Sequence, residues 1–138
     1  MLQSEITLQE DFPAKLRKED KMDKNTENVV LCGASSYEQK YYFNQEFKAL
    51  PEEIKKELQI MCVLFTEDIG GVLTLEFTPE GELEFKVQAD DQDYLFDEIG
   101  SGLKIRQYQR EKRELLEALE LYYRVVFLGE RLEGSDEE

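Results

Sequence analysis

The chain has 138 residues, a formal net charge of −15 and no histidine. This length predicts a single domain, which can bury roughly two-thirds of its unfolded surface and fold without disulfides. The negative charge argues against nucleic acid and anionic membranes as partners, because both would be repelled. Without histidine, the Ser/His and Cys/His nucleophile arrangements and the commonest transition-metal ligand are excluded as well.

The sequence indicates a cytoplasmic protein. Its first residues, MLQSEITLQEDFPAKL, lack the basic and then apolar pattern of a signal peptide, and no run approaches the ~20 apolar residues of a membrane span. Cys32 and Cys62 match no metal-binding or disulfide spacing, so we interpret both as reduced, buried small hydrophobes. The apolar surroundings of Cys62 also predict a thiol of low reactivity.

Residues 1–28 are interpreted as an N-terminal extension, because they mix charges of both signs and hold few bulky apolar residues. A partly mobile arm and a short helix near residues 14–21 are the two alternatives. After it, VVLCGA at 29–34 predicts a strand, and KYYFN at 40–44 predicts a second one. The capping-box spacing of Ser35 and Glu38 leaves a helix open as an alternative for the second strand.

A helix is predicted over residues 51–68, where apolar residues recur at spacings of three and four. Pro51 suits its first turn, and Gly70 and Gly71 end it. From residue 72 the apolar period changes to two, which predicts a hairpin of two strands, 72–78 and 82–88. The intervening TPEG sequence fits a type I turn.

Charge is distributed unevenly beyond this helix. Residues 76–98 hold nine acidic residues against Lys86, and residues 104–113 hold five basic residues against Glu111. One interpretation is an acidic docking face with a compensating basic patch on the last helix. The other, which we favour, is a hairpin whose outer face is solvated by ordinary charges and a helix that balances them. The hairpin charges in question are Glu76, Glu82, Glu84 and Lys86.

Two groups of side chains are candidates for a binding site. The carboxylates near residues 90–98 could supply oxygen ligands to calcium or magnesium, but an EF-hand glycine and terminal glutamate are missing, so we expect a solvated loop. They are Asp90, Asp91, Asp93, Asp97 and Glu98. The aromatic run Tyr41, Tyr42 and Phe43 could stack a base or a sugar, and we expect it to pack on the sheet instead. No catalytic, cofactor-binding or metal-binding residue is assigned.

One long helix is predicted over residues 103–128, after a break or kink at the Gly100-Ser101-Gly102 run. Eleven of the 14 residues from 115 to 128 are apolar, and the three polar ones form one narrow stripe. This stripe predicts an exposed edge with a favourable Glu120–Arg124 pair. We expect the flank carrying some of Leu116, Tyr123 and Phe127 to be covered by the N-terminal arm or by a second chain, and we favour a homodimer through this helix.

The chain resembles a family of small acidic proteins of unknown function from clostridial Firmicutes. The resemblance covers about residues 29–130 and implies a bacterial cytoplasmic setting without any activity or functional residue. It rests on VVLCGA (29–34), KYYFN (40–44), LPEEIKKELQIMCVLFTEDIGG (50–71), FDEIG (96–100) and LLEALELYYRVVFLGE (115–130).

These patterns together predict one α+β domain over residues 29–129, followed by an acidic tail at 130–138. It consists of an antiparallel sheet of about four strands, built from two hairpins, with the 51–68 and 103–128 helices on one face. The expected function is non-enzymatic: a protein-interaction or regulatory domain whose acidic or aromatic surface binds another protein, which could be basic. The alternative is a small-molecule or cation-binding domain or a carboxylate-based enzyme. No cofactor is expected.

Overall fold

A computed structural model describes residues 27–130 of the chain. The strands are β1 (Val29–Ser35), β2 (Lys40–Phe43), β3 (Val72–Phe77) and β4 (Leu83–Gln88); the helices are α1 (Glu52–Asp68), α2 (Glu98–Glu111) and α3 (Arg113–Val126). The four strands form one antiparallel sheet in the order β2-β1-β3-β4, which confirms the predicted α+β fold. The predictions for residues 1–26 and 131–138 lie outside the described residues.

The main hydrophobic core lies between one face of the sheet and the helices. Alternate residues of β1 and β3, such as Ala34, Leu73 and Leu75, point to this face because side chains alternate along a strand. A register shift between Val30 and Cys32 in β1 marks a bulge in its pairing with β3. The helices supply the other half of the core: Leu58, Met61, Cys62 and Phe65 from α1, and Leu119 and Tyr123 from α3.

The opposite face of β3 is buried too, which corrects the prediction of a solvated hairpin face. Glu76 is only 2% exposed. Its carboxylate accepts hydrogen bonds from the Thr74 hydroxyl at 2.9 Å and the Asn28 amide at 3.1 Å, and Lys86 Nζ lies 4.0 Å away. The other charges predicted on this face do reach solvent: Glu82 is exposed, and the side chains of Glu84 and Lys86 are 44% and 47% exposed, so the prediction is wrong for Glu76 alone. Burying a carboxylate is tolerated here because donors meet its oxygens.

The single helix expected over residues 103–128 is two helices, and the break lies at Lys112 instead of the glycine run. Lys112 leaves helical geometry with φ −109° and ψ 26°. Gly100 and Gly102 instead fall near the start of α2, where Asp97 caps the helix by accepting a hydrogen bond from the Gly100 N–H at 2.9 Å. In the first turn a glycine does not interrupt intrahelical bonds, because those N–H groups have no partner within the helix.

Part of the polar stripe of α3 is covered: Glu120 and Arg124 lie against the β3–β4 hairpin, whereas Glu117 is exposed as predicted. Glu120 is half-buried, and its carboxylate accepts a hydrogen bond from the Leu83 N–H at 2.8 Å. The Arg124 stem lies against Gly81 in the hairpin turn, and its guanidinium pairs with Glu130 at 3.6 Å, so the expected Glu120–Arg124 pair is absent from the described contacts. Of the three residues expected on the flank that needs covering, Leu116 and Tyr123 are buried and Phe127 is 36% exposed. The other apolar side chains left exposed near the end of the chain include Leu121, Val126 and Leu128.

Candidate protein-interaction surface

The segment between β4 and α2, residues 89–97, is an irregular loop held by defined hydrogen bonds. Two turns shape it: the Asp93 N–H donates to the Asp90 carbonyl at 2.9 Å, and the Phe96 N–H donates to the Asp93 carbonyl at 3.3 Å. At its end Asp97 caps α2, since a short polar side chain can satisfy a free N–H of the first helical turn. The loop therefore has a definite conformation although it is charged.

Tyr37, in the β1–β2 connection, anchors this loop from a distant part of the chain. Its hydroxyl donates to Asp93 Oδ2 at 2.6 Å and accepts from the Asp90 N–H at 2.9 Å. Desolvation and the hydrogen bond to Asp93 raise the pKa of Tyr37, so the hydroxyl keeps its proton and remains a donor at neutral pH.

Phe96 gives the loop a second anchor. Its ring approaches Gly71, at the start of β3, so closely that a Cβ on Gly71 would lie 2.8 Å from ring atom Cε1 and 2.9 Å from the Gln88 carbonyl oxygen. Gly71 also has φ +73°, a conformation that favours glycine. The same glycine therefore ends the α1 connection and makes room for the loop's aromatic anchor.

Between these anchors the loop presents apolar side chains to solvent. Tyr94 is 87% exposed, Leu95 is 93% exposed and Ile99, in the first turn of α2, is 77% exposed. Single exposed apolar residues are ordinary, but three within six positions on an ordered segment are typical of an interaction site. We call this region the acidic loop surface; it comprises Tyr94, Leu95 and Ile99 with the exposed carboxylates Asp90, Asp91, Asp97 and Glu98.

Within the described part of the chain, the negative charge of the acidic loop surface is not neutralised by basic side chains. None of its four acidic side chains takes part in an ion pair within residues 27–130. They do not converge either: in the described part of the chain, no three acidic or cysteine side chains are placed to hold a metal ion. The surface therefore offers dispersed negative charge around apolar side chains.

The other predicted candidates are placed elsewhere. Tyr41 and Phe43 are buried in the main core, and Tyr42 packs against Val72 on the opposite face of the sheet. The hydrogen bond to Cys32, together with burial, raises the pKa of Cys62, which agrees with the expected low reactivity.

Two of the five basic residues at 104–113 pair with carboxylates of α1. Lys104 Nζ lies 2.9 Å from Asp68 Oδ2, and Lys112 Nζ lies 2.8 Å from Glu57 Oε2. The first pair joins α2 to α1, and the second joins the α2–α3 junction at Lys112 to α1. Part of the positive charge of residues 104–113 is therefore neutralised by carboxylates of α1. None of the described ion pairs joins this positive charge to the acidic loop surface.

A cleft of about 370 Å³ lies between the β1–β2 connection and the C-terminal half of α1. Lys40 and Glu67 line it, and so does Gln39, whose φ of +54° is uncommon for a residue other than glycine. Two of its hydroxyls serve the fold: Ser35 accepts a hydrogen bond from the Glu38 N–H, and Thr66 donates to carbonyls of its own helix. The cleft has the size of a small-molecule site, although part of its polar lining serves the fold.

Sequence reasoning assigned no role to Tyr94, Leu95 or Ile99. The sequence signal that could have predicted their exposure is the Tyr-Leu pair within the acidic run before Asp97. Apolar residues that are flanked by many charges have few local partners against which to be buried. Their exposure itself depended on Tyr37 and Phe96 holding the loop.

A family model described as a family of unknown function (DUF6145) matches residues 28–131. No curated protein and no solved structure matches the chain. Within residues 27–130, none of the helices combines the length and the apolar character that crossing a membrane requires.

Proposed function

The chain belongs to the family of unknown function DUF6145, and we propose that it is a non-enzymatic protein-interaction or regulatory domain that binds another protein through the acidic loop surface. The observation that carries this proposal is the near-complete exposure of Tyr94 and Leu95 on a loop held by Tyr37 and Phe96. An ordered loop loses little conformational entropy on binding, so its exposed apolar side chains can contribute to affinity.

The partner protein is expected to have an apolar pocket for these side chains and basic residues around that pocket. Tyrosine and leucine side chains supply buried contact area, and tyrosine is enriched among the residues that dominate binding energy. The surrounding carboxylates, which have no cations of their own among the described residues, would attract lysine or arginine side chains on the partner. Because exposed charges are screened by salt, association should slow as ionic strength rises.

A small-molecule or cation-binding function is the second candidate. The cleft beside Gln39 favours it, since Lys40 and Glu67 place opposite charges at its walls. Cation binding at the acidic loop has its own test: if the loop is only solvated, calcium should raise Tm no more than a sodium salt of matched ionic strength. A calcium-specific rise of several degrees would favour this second candidate. We propose no enzyme activity.

The setting and the oligomeric state belong to the same proposal. We place the protein in the cytoplasm of a clostridial bacterium, supported by the resemblance described above and by two free cysteines. We also propose that two copies of the chain form a homodimer through residues 103–128. Its support is the exposure of Leu121, Val126 and Leu128, and light scattering on the full-length protein tests it.

The interaction proposal is tested by comparing three full-length proteins as baits in a host cell lysate. The first is unsubstituted, the second carries Tyr94→Ala and Leu95→Ala, and the third carries Ile60→Ala and Leu64→Ala. The third is a matched control, because Ile60 and Leu64 are also exposed, at 51% and 50%, but lie on α1. We expect one defined protein to be retained by the first and third baits, lost from the second, and released by high salt.

A photo-crosslinking amino acid at position 92 of the full-length protein, where an exposed glutamine of the loop is replaced and Tyr94 and Leu95 are kept, then identifies what touches the loop. A crosslink to the retained protein supports the proposal. Retention that is equal for all three baits, or a crosslink to a different protein, contradicts it. Loss from the third bait alone would assign binding to α1 and not to the acidic loop surface.

A further inference from the structure

The only two thiols of the chain, Cys32 and Cys62, are brought together by the fold. Cys32 lies on β1, a central strand of the sheet, and Cys62 lies on α1 above it. Their Sγ atoms are 3.8 Å apart, and both side chains are 0% exposed. We propose that Cys32 and Cys62 form an intramolecular disulfide when the protein is exposed to a peroxide, and that this bond fastens α1 to the sheet.

The geometry needs only a small movement. A disulfide has an S–S distance of about 2.05 Å, so the two sulfurs must approach by about 1.8 Å. At 3.8 Å they are already in direct contact, and no other side chain has to leave the space between them. Because the two cysteines sit on different elements, the bond would join the sheet to α1 across the segment that contains β2.

The reaction balances with one molecule of hydrogen peroxide. The sulfur of one cysteine, as thiolate, attacks a peroxide oxygen; an S–O bond forms, the O–O bond breaks, and the hydroxide released takes up a proton as water. The second sulfur attacks the resulting sulfenic acid, forming the S–S bond while the S–O bond breaks and a second water leaves. Two thiols are oxidised by two electrons, and the peroxide is reduced to two waters.

Burial controls when this happens. The hydrogen bond to Cys32 and complete burial raise the pKa of Cys62, so its thiolate is scarce and the oxidant reaches the pair only when α1 opens locally. The pair therefore stays reduced in a reducing compartment and reacts slowly under sustained oxidation. Once formed, the bond restricts the unfolded chain, and we expect Tm to rise by roughly 10 °C.

The test uses the full-length protein, reduced and then incubated with hydrogen peroxide. We expect an intact mass lower by two hydrogen atoms, a non-reduced peptide map that joins the Cys32 and Cys62 peptides, and a higher Tm that returns to its starting value on reduction. The variants Cys32→Ser and Cys62→Ser, each keeping one thiol, should show neither the mass loss nor the rise in Tm relative to their own reduced forms.

Three results would overturn the proposal. The first is two unreacted thiols or the addition of oxygen atoms without a bond between the two peptides. The second is a disulfide that joins two separate chains. The third is an intramolecular bond that lowers Tm, which would mean that the bond distorts the contact between α1 and the sheet. The peptide map of the unsubstituted protein decides on bond formation even if a serine variant fails to fold.

Discussion

The two ends of the β3–β4 hairpin use aromatic side chains in opposite ways. At the turn end, Phe77 stacks on Tyr123 with ring centroids 4.2 Å apart, and Phe47 stacks on Phe127 at 4.7 Å. We call these four residues the aromatic cluster. At the other end, where β4 leads into the acidic loop surface, Tyr94 stands 87% exposed.

The difference lies in which partners are available. Phe77 is on a central strand, so the sheet, the 3-10 turn at Gln45–Phe47 and α3 surround it. The loop offers Tyr94 no such neighbours, because its two anchors are Tyr37 and Phe96, which hold the backbone and leave adjacent side chains outside. Aromatic residues in the cluster therefore stabilise the fold, whereas Tyr94 on the loop is free for a partner.

The largest expected effect is in the aromatic cluster. Phe77→Ala removes a side chain that is 0% exposed and leaves a cavity beside Tyr123, so we expect a loss of about 3–5 kcal/mol in the free energy of unfolding. Urea unfolding followed by circular dichroism measures it. Tyr94→Ala is the matched aromatic control. A loss below about 1 kcal/mol for Phe77→Ala would mean that the cluster does not hold α3 to the sheet.

The free energy of unfolding should depend on alkaline pH because buried tyrosine and cysteine side chains resist ionisation in the folded protein. Burial raises the pKa of Tyr41 and the pKa of Tyr123. The pKa of Cys62 is raised by the hydrogen bond to Cys32 and by burial. A raised native pKa contributes stability that is present below the unfolded pKa and is lost as pH rises towards the native pKa. The unfolded values are about 9 for cysteine and 10 for tyrosine.

Stability should accordingly be flat from about pH 6 to 8, where no histidine titrates. Above about pH 9 it should fall, by about 1.4 kcal/mol per pH unit for each group that ionises only on unfolding. Urea midpoints measured across this range test the expectation. A steep change between pH 6 and 8, or a flat profile above pH 10, would contradict the burial of these groups.

The adjacent glycines Gly70 and Gly71 provide a test of the loop anchor. Both have positive φ, so alanine is strained at either position. At Gly70 the new Cβ meets nothing within 4 Å, whereas at Gly71 it meets the Phe96 ring at 2.8 Å. We expect Gly71→Ala to cost about 1–2 kcal/mol more than Gly70→Ala and to speed amide exchange in residues 89–97. Equal costs and unchanged exchange would mean that Phe96 does not anchor the loop.

The smallest effect is expected on the acidic loop surface itself. Tyr94→Ala combined with Leu95→Ala removes two side chains that touch little of the fold, so the free energy of unfolding should change by no more than about 0.5 kcal/mol. Thermal unfolding against the unsubstituted protein measures it. A decrease in the free energy of unfolding above about 1 kcal/mol would show that Tyr94 and Leu95 pack against the chain in solution. The loop would then stabilise the fold, as the aromatic cluster does.

Local patterns in the sequence determined most of the secondary structure. The apolar spacing before Gly70, the positive-φ glycines and the change to period two at Val72 each depend on neighbours within a few positions. They therefore predicted α1 and the β3–β4 hairpin closely. The lack of histidine likewise excluded whole classes of chemistry from composition alone.

Only the tertiary structure decided which of these surfaces are buried. Glu76 alternates as an outward residue of a strand yet is buried, and Glu120 and Arg124 of α3 lie against Leu83 and Gly81 because the hairpin turn lies there. The candidate site has the same origin: Tyr37 bonds Asp93 across 56 residues, and Cys32 meets Cys62 across 30. Local periodicity sets which way a side chain points, but its burial depends on segments that are distant in the chain, and no local pattern records where those segments will lie.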